Sequence, residues 1–469
     1  MEKKTVSRRD FVKATALGGG AIVLAACAAP AAPAVPEAAA PQATEAPASG
    51  SSVKELTIIW AEWDPANYLQ QLGNEYEKET GIKVTVVQEP WPTFGNRFGT
   101  EMAGKGSSYD LVVGDSQWLG QGSSDGDGWY VELTPYWAEL NGPGLSPATV
   151  TAYAEYPKGS GKDWAYPTEG DAPGWAYRKD LFEDPKEKDA FKAKYGYDLA
   201  VPTTWAQLGD IAEFFTRPDA NLYGVGIYTQ KGGDAITMGY ENVLFSWGAD
   251  WGDQKTYKVD GVLNSPEAVE ALEYYKKLYS FAPPGSSNDF FQEVNNHFTS
   301  GQVAMGMNFF AFFPALANPA SNPLADKTGF FANPAGPSGL RHAALGGQGI
   351  SIVKYISPER QAAALDFIKW FGKNSTQERW AELGGYTCNT SVLESEKFLN
   401  ATPYNRAFSE TMTFVKDFWA VPVYGEMMTD SQEALHTYVV AGEGTAKDTL
   451  DALTVKHEAT LKKAGFLKD

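Results

Sequence analysis

Acidic and aromatic side chains occur together at three points where a predicted strand ends. The three groups are Glu62-Trp63-Asp64, Glu89 with Trp91, and Asp115 with Trp118. A carboxylate can accept hydrogen bonds from adjacent hydroxyl groups, whereas the face of a Trp ring can cover the apolar C–H side of a sugar ring. This combination is typical of a site for a polyhydroxylated ligand.

The elements that must position these side chains are predicted from periodicity. Residues 55–60 and 82–87 are strand-like, and between them Pro65 and Gly81 mark the start and end of an amphipathic helix. A further strand over 109–113 ends at Gly114. Strand, helix, strand is the unit that builds parallel sheets, in which ligands gather at the ends of strands. The three groups are therefore expected at one edge of a sheet.

The composition limits the classes of partner. The net charge of −19 argues against nucleic acid and anionic membrane surfaces, because both require clustered Lys and Arg. The 14 Trp and 23 Tyr exceed what core filling usually needs, which indicates that some aromatic surface has another use. Residues 53–469 are too many for one compact core, and two α/β lobes are the simplest arrangement.

The N-terminus predicts export and anchoring. Arg8 and Arg9 precede Phe11 and a short apolar run, the layout of a twin-arginine signal peptide. Residues 24–27 end that run in the pattern of a lipobox, which predicts a lipid on Cys27 and a location on the outer face of the cytoplasmic membrane. Residues 28–52 predict a flexible Ala/Pro-rich tether. With Cys27 lipidated, Cys388 has no partner for a disulfide and is expected to be buried.

Catalytic and cofactor motifs are not predicted. Residues 122–126 match the Gly-x-Ser-x-Gly pattern, but without the flanking strand and helix they are expected to form a loop. Asp125 and Asp127 suggest calcium, although Trp129 occupies the next ligand position. The four histidines lack metal-ligand spacing, and no phosphate-binding loop is present. No cofactor or metal is expected, and a secreted glycosidase with paired carboxylates remains a remote alternative.

Beyond these motifs, the order of segments along the chain resembles a known family. The segments are LTIIW at 56–60, EKETGIKV at 77–84, YDLV at 109–112, AYP at 165–167, YRKDL at 177–181, PTTW at 202–205, GQVAM at 301–305 and SPE at 357–359. In this order they resemble extracellular solute-binding protein family 1, the carbohydrate-binding group of ABC importer components that includes maltose-binding protein. The resemblance covers nearly all of residues 54–465.

The resemblance implies a two-lobed periplasmic-binding-protein type II fold, or Venus-flytrap, in which crossing segments act as hinges. It places residues 53–170 and 354–388 in the first lobe, and residues 171–353 and 389–469 in the second. By analogy, the crossings lie near 168–174, just before Ser357, and near 386–392. The ligand would bind between the lobes, which close over it.

The resemblance also implies site residues. Asp64 falls where maltose-binding protein has a sugar-contacting aspartate, and Asp171 matches a carboxylate on the first crossing. Asn308 and Phe309 begin a segment that often places an aromatic ring over a sugar. The match breaks at Asp115, so the sugar preference stays open. The predicted ligand-binding set is Glu62, Trp63, Asp64, Trp91, Asp115, Trp118, Glu169, Asp171, Trp247, Asn308 and Phe309.

Several of these residues have structural alternatives. Asp64 could simply cap a helix, and Asp171 could only hydrogen-bond within a hinge. Glu62 and Glu169 could be solvated. The tryptophans could pack rather than stack on a ligand; for Trp60, at a strand end, packing is the expected role.

The function implied is that of a monomeric protein that binds a mono- or oligosaccharide and delivers it to a membrane permease, with a separate ATPase supplying energy. Relatives of the same fold also take polyamines, phosphate esters, ferric ion or peptides, so a non-sugar solute is the alternative ligand. Several acidic groups in one cleft could equally hold a cation.

Overall fold

The computed structural model describes residues 53–123, 128–417 and 419–468. The predicted signal peptide, Cys27, the tether at 28–52, and Asp125 and Asp127 lie outside the described residues. Across the described ranges, the helices are all too short or too polar to cross a membrane. The same ranges contain no cluster of His, Cys, Asp and Glu able to hold a metal ion.

Strands and helices follow one another along the chain. The strands are β1 Glu55–Ala61, β2 Lys83–Glu89, β3 Leu111–Asp115, β4 Tyr166–Glu169, β5 Pro173–Arg178, β6 Tyr223–Gly226, β7 Val303–Phe309, β8 Thr328–Phe331, β9 Ala343–Ala344, β10 Gln348–Ile352 and β11 Val415–Lys416. The helices are α1 Asp64–Thr80, α2 Trp91–Ala103, α3 Leu119–Gly122, α4 Pro147–Tyr153, α5 Lys179–Glu183, α6 Pro185–Tyr195, α7 Trp205–Phe215, α8 Ala235–Ser246, α9 Pro266–Tyr279, α10 Phe291–Thr299, α11 Phe313–Ala317, α12 Pro358–Phe371, α13 Asn374–Leu383, α14 Thr390–Leu393, α15 Glu396–Leu399, α16 Asn405–Thr411, α17 Tyr424–Val439 and α18 Ala446–Lys463.

The opening β1-α1-β2 unit forms as the periodicity predicts. β1 and β2 pair in parallel over their whole length. α1 buries Leu69, Leu72 and Tyr76 and ends at Gly81, which has a φ of 75° that glycine adopts without steric cost. Trp63 occupies the N-cap position of α1, and no side chain caps the helix. Asp64 is therefore a first-turn residue rather than the cap, and it is exposed.

The first sheet has the strand order β2-β1-β3-β10-β4. β1, β2 and β3 are parallel, whereas β10 runs antiparallel to β3 and β4. Ile350 and Ile352 of β10 are buried in this sheet. The chain has thus returned to the first lobe before Gln348, and the expectation that residues up to 353 belong to the second lobe is corrected. All five residues of β10 are buried, as expected for a strand that lies between two others in a covered sheet.

The second sheet has the order β6-β7-β5-β8. Because β4 belongs to the first sheet and β5 to the second, the chain passes between the sheets at residues 170–172, within the predicted crossing 168–174. β9 and β11 form a separate two-stranded parallel sheet. In sequence, β9 lies between β8 and β10, whereas β11 follows α16. Both sheets fall within residues 51–469, which form one compact unit.

Candidate functional site

The ends of β1 and β3 in the first lobe and of β7 in the second line a cavity of about 350 Å³, called here the aromatic chamber. The first lobe lines it with Ala61, Glu62, Trp63, Trp91, Asp115 and Gln348. The second lobe lines it with Gly233, Met238, Phe290, Phe291, Phe309 and Phe312. Asp171 on the first crossing and Gly346 complete its lining.

A second chamber of about 550 Å³ adjoins the first, because Trp91, Asp115, Gly233 and Met238 line both. Polar side chains characterise its lining: Asn96, Gln117, Gln121, Asp234 and Glu426. Trp118 also lines this chamber. Its ring is held by Phe94, with ring centroids 5.0 Å apart, and by Phe98, at 6.1 Å.

β10 lies at the centre of the first-lobe side of the cleft. Its residue Gln348 pairs with Asp115 of β3 on one side and Glu169 of β4 on the other. Gln348 Oε1 accepts a hydrogen bond from the indole nitrogen of Trp60, which is itself fully buried. Trp60 therefore packs in the core, as expected for a strand-end Trp, and it fixes the amide of Gln348 toward the cleft.

Trp60 also positions Trp63. The ring of Trp63 packs edge-to-face on Trp60, with centroids 5.6 Å apart. The buried Nε1–H of Trp63 has no hydrogen-bond partner among the described residues. Since a buried donor without a partner is costly, this group is available to a ligand that supplies an acceptor oxygen.

Of the three carboxyl groups that line the aromatic chamber, those of Asp115 and Asp171 are shifted in pKa by burial and have different surroundings. Asp115 accepts a hydrogen bond from the backbone N–H of Gln117 at 3.0 Å, and burial raises its pKa to about 6. Asp171 accepts hydrogen bonds from the N–H groups of Ala172 at 2.9 Å and Ala311 at 3.3 Å. Burial nevertheless raises the pKa of Asp171 to about 8, so at neutral pH this carboxyl is mainly protonated and can donate.

The second-lobe wall consists of stacked phenylalanines. Phe291 stacks on Phe312 with ring centroids 4.3 Å apart and meets Phe309 edge-to-face at 5.9 Å. Phe309 in turn stacks on the buried ring of Tyr228. Gly346 permits this arrangement, since a Cβ there would come within 2.1 Å of the Phe309 ring.

Asn308 holds this wall from behind. It is fully buried, accepts a hydrogen bond from the Tyr228 hydroxyl at 2.5 Å, and donates to the carbonyl of Phe291 at 2.9 Å and to Asn295 at 2.8 Å. All its hydrogen-bonding capacity toward the chamber is thus used within the protein. Asn308 positions the aromatic rings and does not line either chamber.

The structure brings together most of the predicted site. Glu62, Trp63, Trp91, Asp115, Asp171 and Phe309 line the aromatic chamber, and Trp118 lines the second. Glu169 is fully buried in β4, where its Oε2 accepts from Tyr386 N–H at 3.3 Å, and burial raises its pKa well above the usual value. It is therefore neither solvated nor part of the lining.

Two further predicted residues lie away from the cleft. Trp247 packs in the second-lobe core against Tyr274, with ring centroids 4.9 Å apart, and against Trp205. Its assignment to the ligand site is corrected: the apolar surroundings of α8 bury it. Asp64 lines neither chamber, because the first turn of α1 leaves it in solvent. Trp175 is likewise part of the second-lobe core.

Sequence reasoning missed part of the second-lobe wall and one amide. Phe290, Phe291 and Met238 carry no local signal that separates a cleft aromatic or thioether from a core residue. Gln348 follows Gly346 and Gly347, which the sequence presents as a turn. Its position between two carboxyl-bearing strands exists only in the sheet.

Comparisons with known proteins agree with this geometry. The family model for bacterial extracellular solute-binding proteins matches residues 62–378. A mannitol-binding protein of Pseudomonas aeruginosa is 23% identical over 444 residues, covering 90% of this chain and 96% of that protein.

Solved structures of the same fold cover the chain nearly as fully. An ABC transporter solute-binding protein of Agrobacterium radiobacter in complex with ribitol is 25% identical, with a TM-score of 0.71, and the match covers 87% of this chain and 99% of that one. Maltose-bound MalE3 of T. maritima has a TM-score of 0.71 at 23% identity, over 86% of this chain and 99% of that one. The resemblance to the maltose-binding type and the two-lobed type II fold are confirmed.

Proposed function

Because the chain belongs to the family of bacterial extracellular solute-binding proteins, we propose that it binds a neutral carbohydrate between its lobes and delivers it to an ABC importer. One observation carries the proposal. The aromatic chamber combines the carboxyl groups of Asp115 and Asp171 and the amide of Gln348 with the rings of Trp63 and Trp91. Such a lining can pair with hydroxyl groups while covering the C–H faces of a sugar.

The charge of the lining supports a neutral ligand. Neither chamber is lined by a Lys, Arg or His of the described residues, so a phosphate ester would find no side-chain cation. The raised pKa of Asp171 leaves this carboxyl mainly uncharged at neutral pH, so Asp171 offers a polyamine no charge to pair with. Mannitol and ribitol, named for two similar proteins, are neutral polyhydroxylated compounds and fit the same reasoning.

Transport requires partners beyond this chain. A membrane permease would recognise the closed, ligand-bound form, and a separate ATPase would supply the energy. The residues before the folded part support export by the twin-arginine route and a lipid on Cys27, which would hold a monomer at the outer face of the cytoplasmic membrane. The proposed role is binding without chemical change of the sugar.

Thermal unfolding of the purified protein tests the proposal. We expect one or more saccharides or sugar alcohols to raise the melting temperature, since a ligand that binds only the folded state stabilises it. The ligand should be recovered intact. A shift with spermidine or a phosphate ester, and with no carbohydrate, would overturn the sugar assignment, and recovery of a cleaved sugar would overturn the transport role.

Asp171→Ala should weaken binding of the responding sugar by more than tenfold while the protein folds normally. Asp64→Ala is the matched control, because Asp64 is an exposed carboxylate at the same end of the first lobe that lines neither chamber. An unchanged dissociation constant for Asp171→Ala would refute the role of this carboxyl.

A further inference from the structure

The two sides of the aromatic chamber differ sharply in chemistry. Every side chain that the second lobe contributes is apolar: Met238, Phe290, Phe291, Phe309 and Phe312. The polar side chains of the lining, Glu62, Asp115, Asp171 and Gln348, lie in the first lobe or at the crossing. A ligand enclosed here meets polar side chains together with the rings of Trp63 and Trp91 on one side, and only apolar side chains on the other.

The backbone of the second-lobe wall is also occupied. The carbonyl of Phe291 accepts from the Asn308 side chain at 2.9 Å, and that of Phe312 accepts from the Asn295 side chain at 3.0 Å. The N–H of Phe309 donates to Asn308 Oδ1 at 2.9 Å. Asn308 and Asn295 thus occupy three polar backbone groups of this wall.

This wall penalises a ligand that carries hydroxyl groups on all sides. A hydroxyl pressed against phenylalanine rings loses its water without gaining a hydrogen bond, which disfavours binding. An apolar substituent at the same place would instead gain from burial among four rings.

From this asymmetry we infer that the ligand is a glycoside with an apolar alkyl or aryl substituent, whose sugar faces the first lobe and whose substituent contacts the phenylalanine wall. The inference rests on the proposed carbohydrate function and narrows it to one substrate class. The adjoining second chamber, with Asn96, Gln117 and Gln121, gives the sugar further hydrogen-bonding partners beyond Asp115.

Binding to matched pairs of ligands, measured by isothermal titration calorimetry on the purified protein, tests the inference. Each pair is a free sugar and its phenyl glycoside, for glucose, galactose and mannose, with mannitol and maltose added as fully hydroxylated references. For the sugar that binds, we expect the phenyl glycoside to bind at least tenfold more tightly than the free sugar. A free sugar, mannitol or maltose that binds as tightly as or more tightly than every glycoside would overturn the inference and leave the proposed function intact.

A variant of the wall separates specific recognition from general hydrophobicity. Phe312→Asn introduces an amide at a half-buried wall position and should reduce the preference for the phenyl glycoside by at least tenfold. Phe466→Asn is the control, since Phe466 is a half-buried ring of the second lobe that packs on Tyr257 and lines neither chamber. If wild type and Phe312→Asn prefer the phenyl glycoside equally, the phenylalanine wall does not determine this preference.

The remaining outcome concerns the proposed function itself. If no sugar or glycoside binds and tetramethylammonium does, the four rings serve a cation and not a glycoside. That result, unlike a preference for free sugars, would contradict the carbohydrate assignment and this inference together. Absence of binding by every compound tested would also contradict both the carbohydrate assignment and this inference.

Discussion

At the scale of single residues, burial decides the chemistry of the carboxyl groups in the cleft. Asp115 and Asp171 have the same side chain, yet their pKa values are raised to about 6 and about 8 because their surroundings differ. At neutral pH one is mainly an acceptor and the other is mainly a donor. A pair of this kind can recognise a hydroxyl group in both of its hydrogen-bonding roles.

The raised pKa of Asp171 has a consequence for stability. Between pH 4 and pH 8 the unfolded chain, in which the pKa of this carboxyl is near 3.8, has lost the proton that the folded chain retains. The unfolding free energy should therefore fall as pH rises in this window, by about 1.4 kcal/mol per pH unit from this residue. Asp171→Asn should flatten the dependence, as measured by urea unfolding at pH 5 and pH 8. An identical slope in wild type and variant would contradict the assigned pKa shift.

Gly346 offers a second test at this scale. Gly346→Ala would place a methyl group 2.1 Å from the Phe309 ring, so the ring must move and the chamber must change shape. We expect at least a tenfold loss of ligand affinity, measured by calorimetry. Gly99→Ala, where no atom lies within 4 Å of the added Cβ, should leave affinity unchanged. Equal affinity in both variants would show that the ring position is unimportant.

At the scale of elements, one ion pair connects α12 to the first sheet. Arg360 in the first turn of α12 contacts both carboxylate oxygens of Asp110, at 2.6 Å each, and Asp110 also accepts the N–H of Thr57 in β1 at 2.7 Å. Asp110 is 1% exposed, so the pair replaces the water that this carboxylate loses on folding. It anchors the helix that follows the return of the chain to the first lobe.

Removing Arg360 should leave the buried carboxylate of Asp110 without its cation, with the N–H of Thr57 as a remaining donor. Arg360→Ala is expected to lower the unfolding free energy by about 3–5 kcal/mol, measured by chemical denaturation. Arg406→Ala, which breaks the exposed contact with Glu396, should cost less than about 1 kcal/mol. Adding Asp110→Asn to Arg360→Ala should recover part of the loss, and no recovery would mean that the charge is not its cause.

At the scale of the whole molecule, the lobes contact each other across the cleft. Gln117, which follows β3 in the first lobe, donates to the carboxyl of Asp234 at the start of α8 in the second lobe, at 2.9 Å. Ser116 donates to Asp417 at 3.0 Å beside it. These contacts hold the lobes together next to the second chamber and should influence the balance between open and closed forms.

Gln117→Glu should make this balance depend on pH. Burial raises the pKa of Asp234 to about 8, so above pH 8 the variant would place two carboxylates against each other and favour the open form. We expect a larger radius of gyration for the variant than for wild type at pH 9, and a smaller difference at pH 6, by small-angle X-ray scattering. Gln292→Glu, an equal charge change at an exposed position of α10, is the control. A variant indistinguishable from wild type at pH 9 would exclude this contact from lobe closure.

Local patterns were sufficient for much of the architecture. Alternating and helical periodicity predicted β1, α1 and β2, and the ends of β1 and β3 indicated Trp63 and Asp115 as cleft residues, because strand ends in a parallel sheet share an edge. The order of segments along the chain was enough to identify the family. These features depend on neighbours close in sequence, and the sequence by itself therefore determined them.

Only the tertiary structure decided which aromatic rings face the ligand. Trp247 and Phe291 look alike as sequence, but the packing of α8 buries the first and the position of α10 beside β7 exposes the second to the chamber. β10 lies between β3 and β4, so it belongs to the first lobe and not the second, and Gln348 lies in the cleft. Residues far apart in the chain create these surroundings, and burial by distant residues leaves no local pattern.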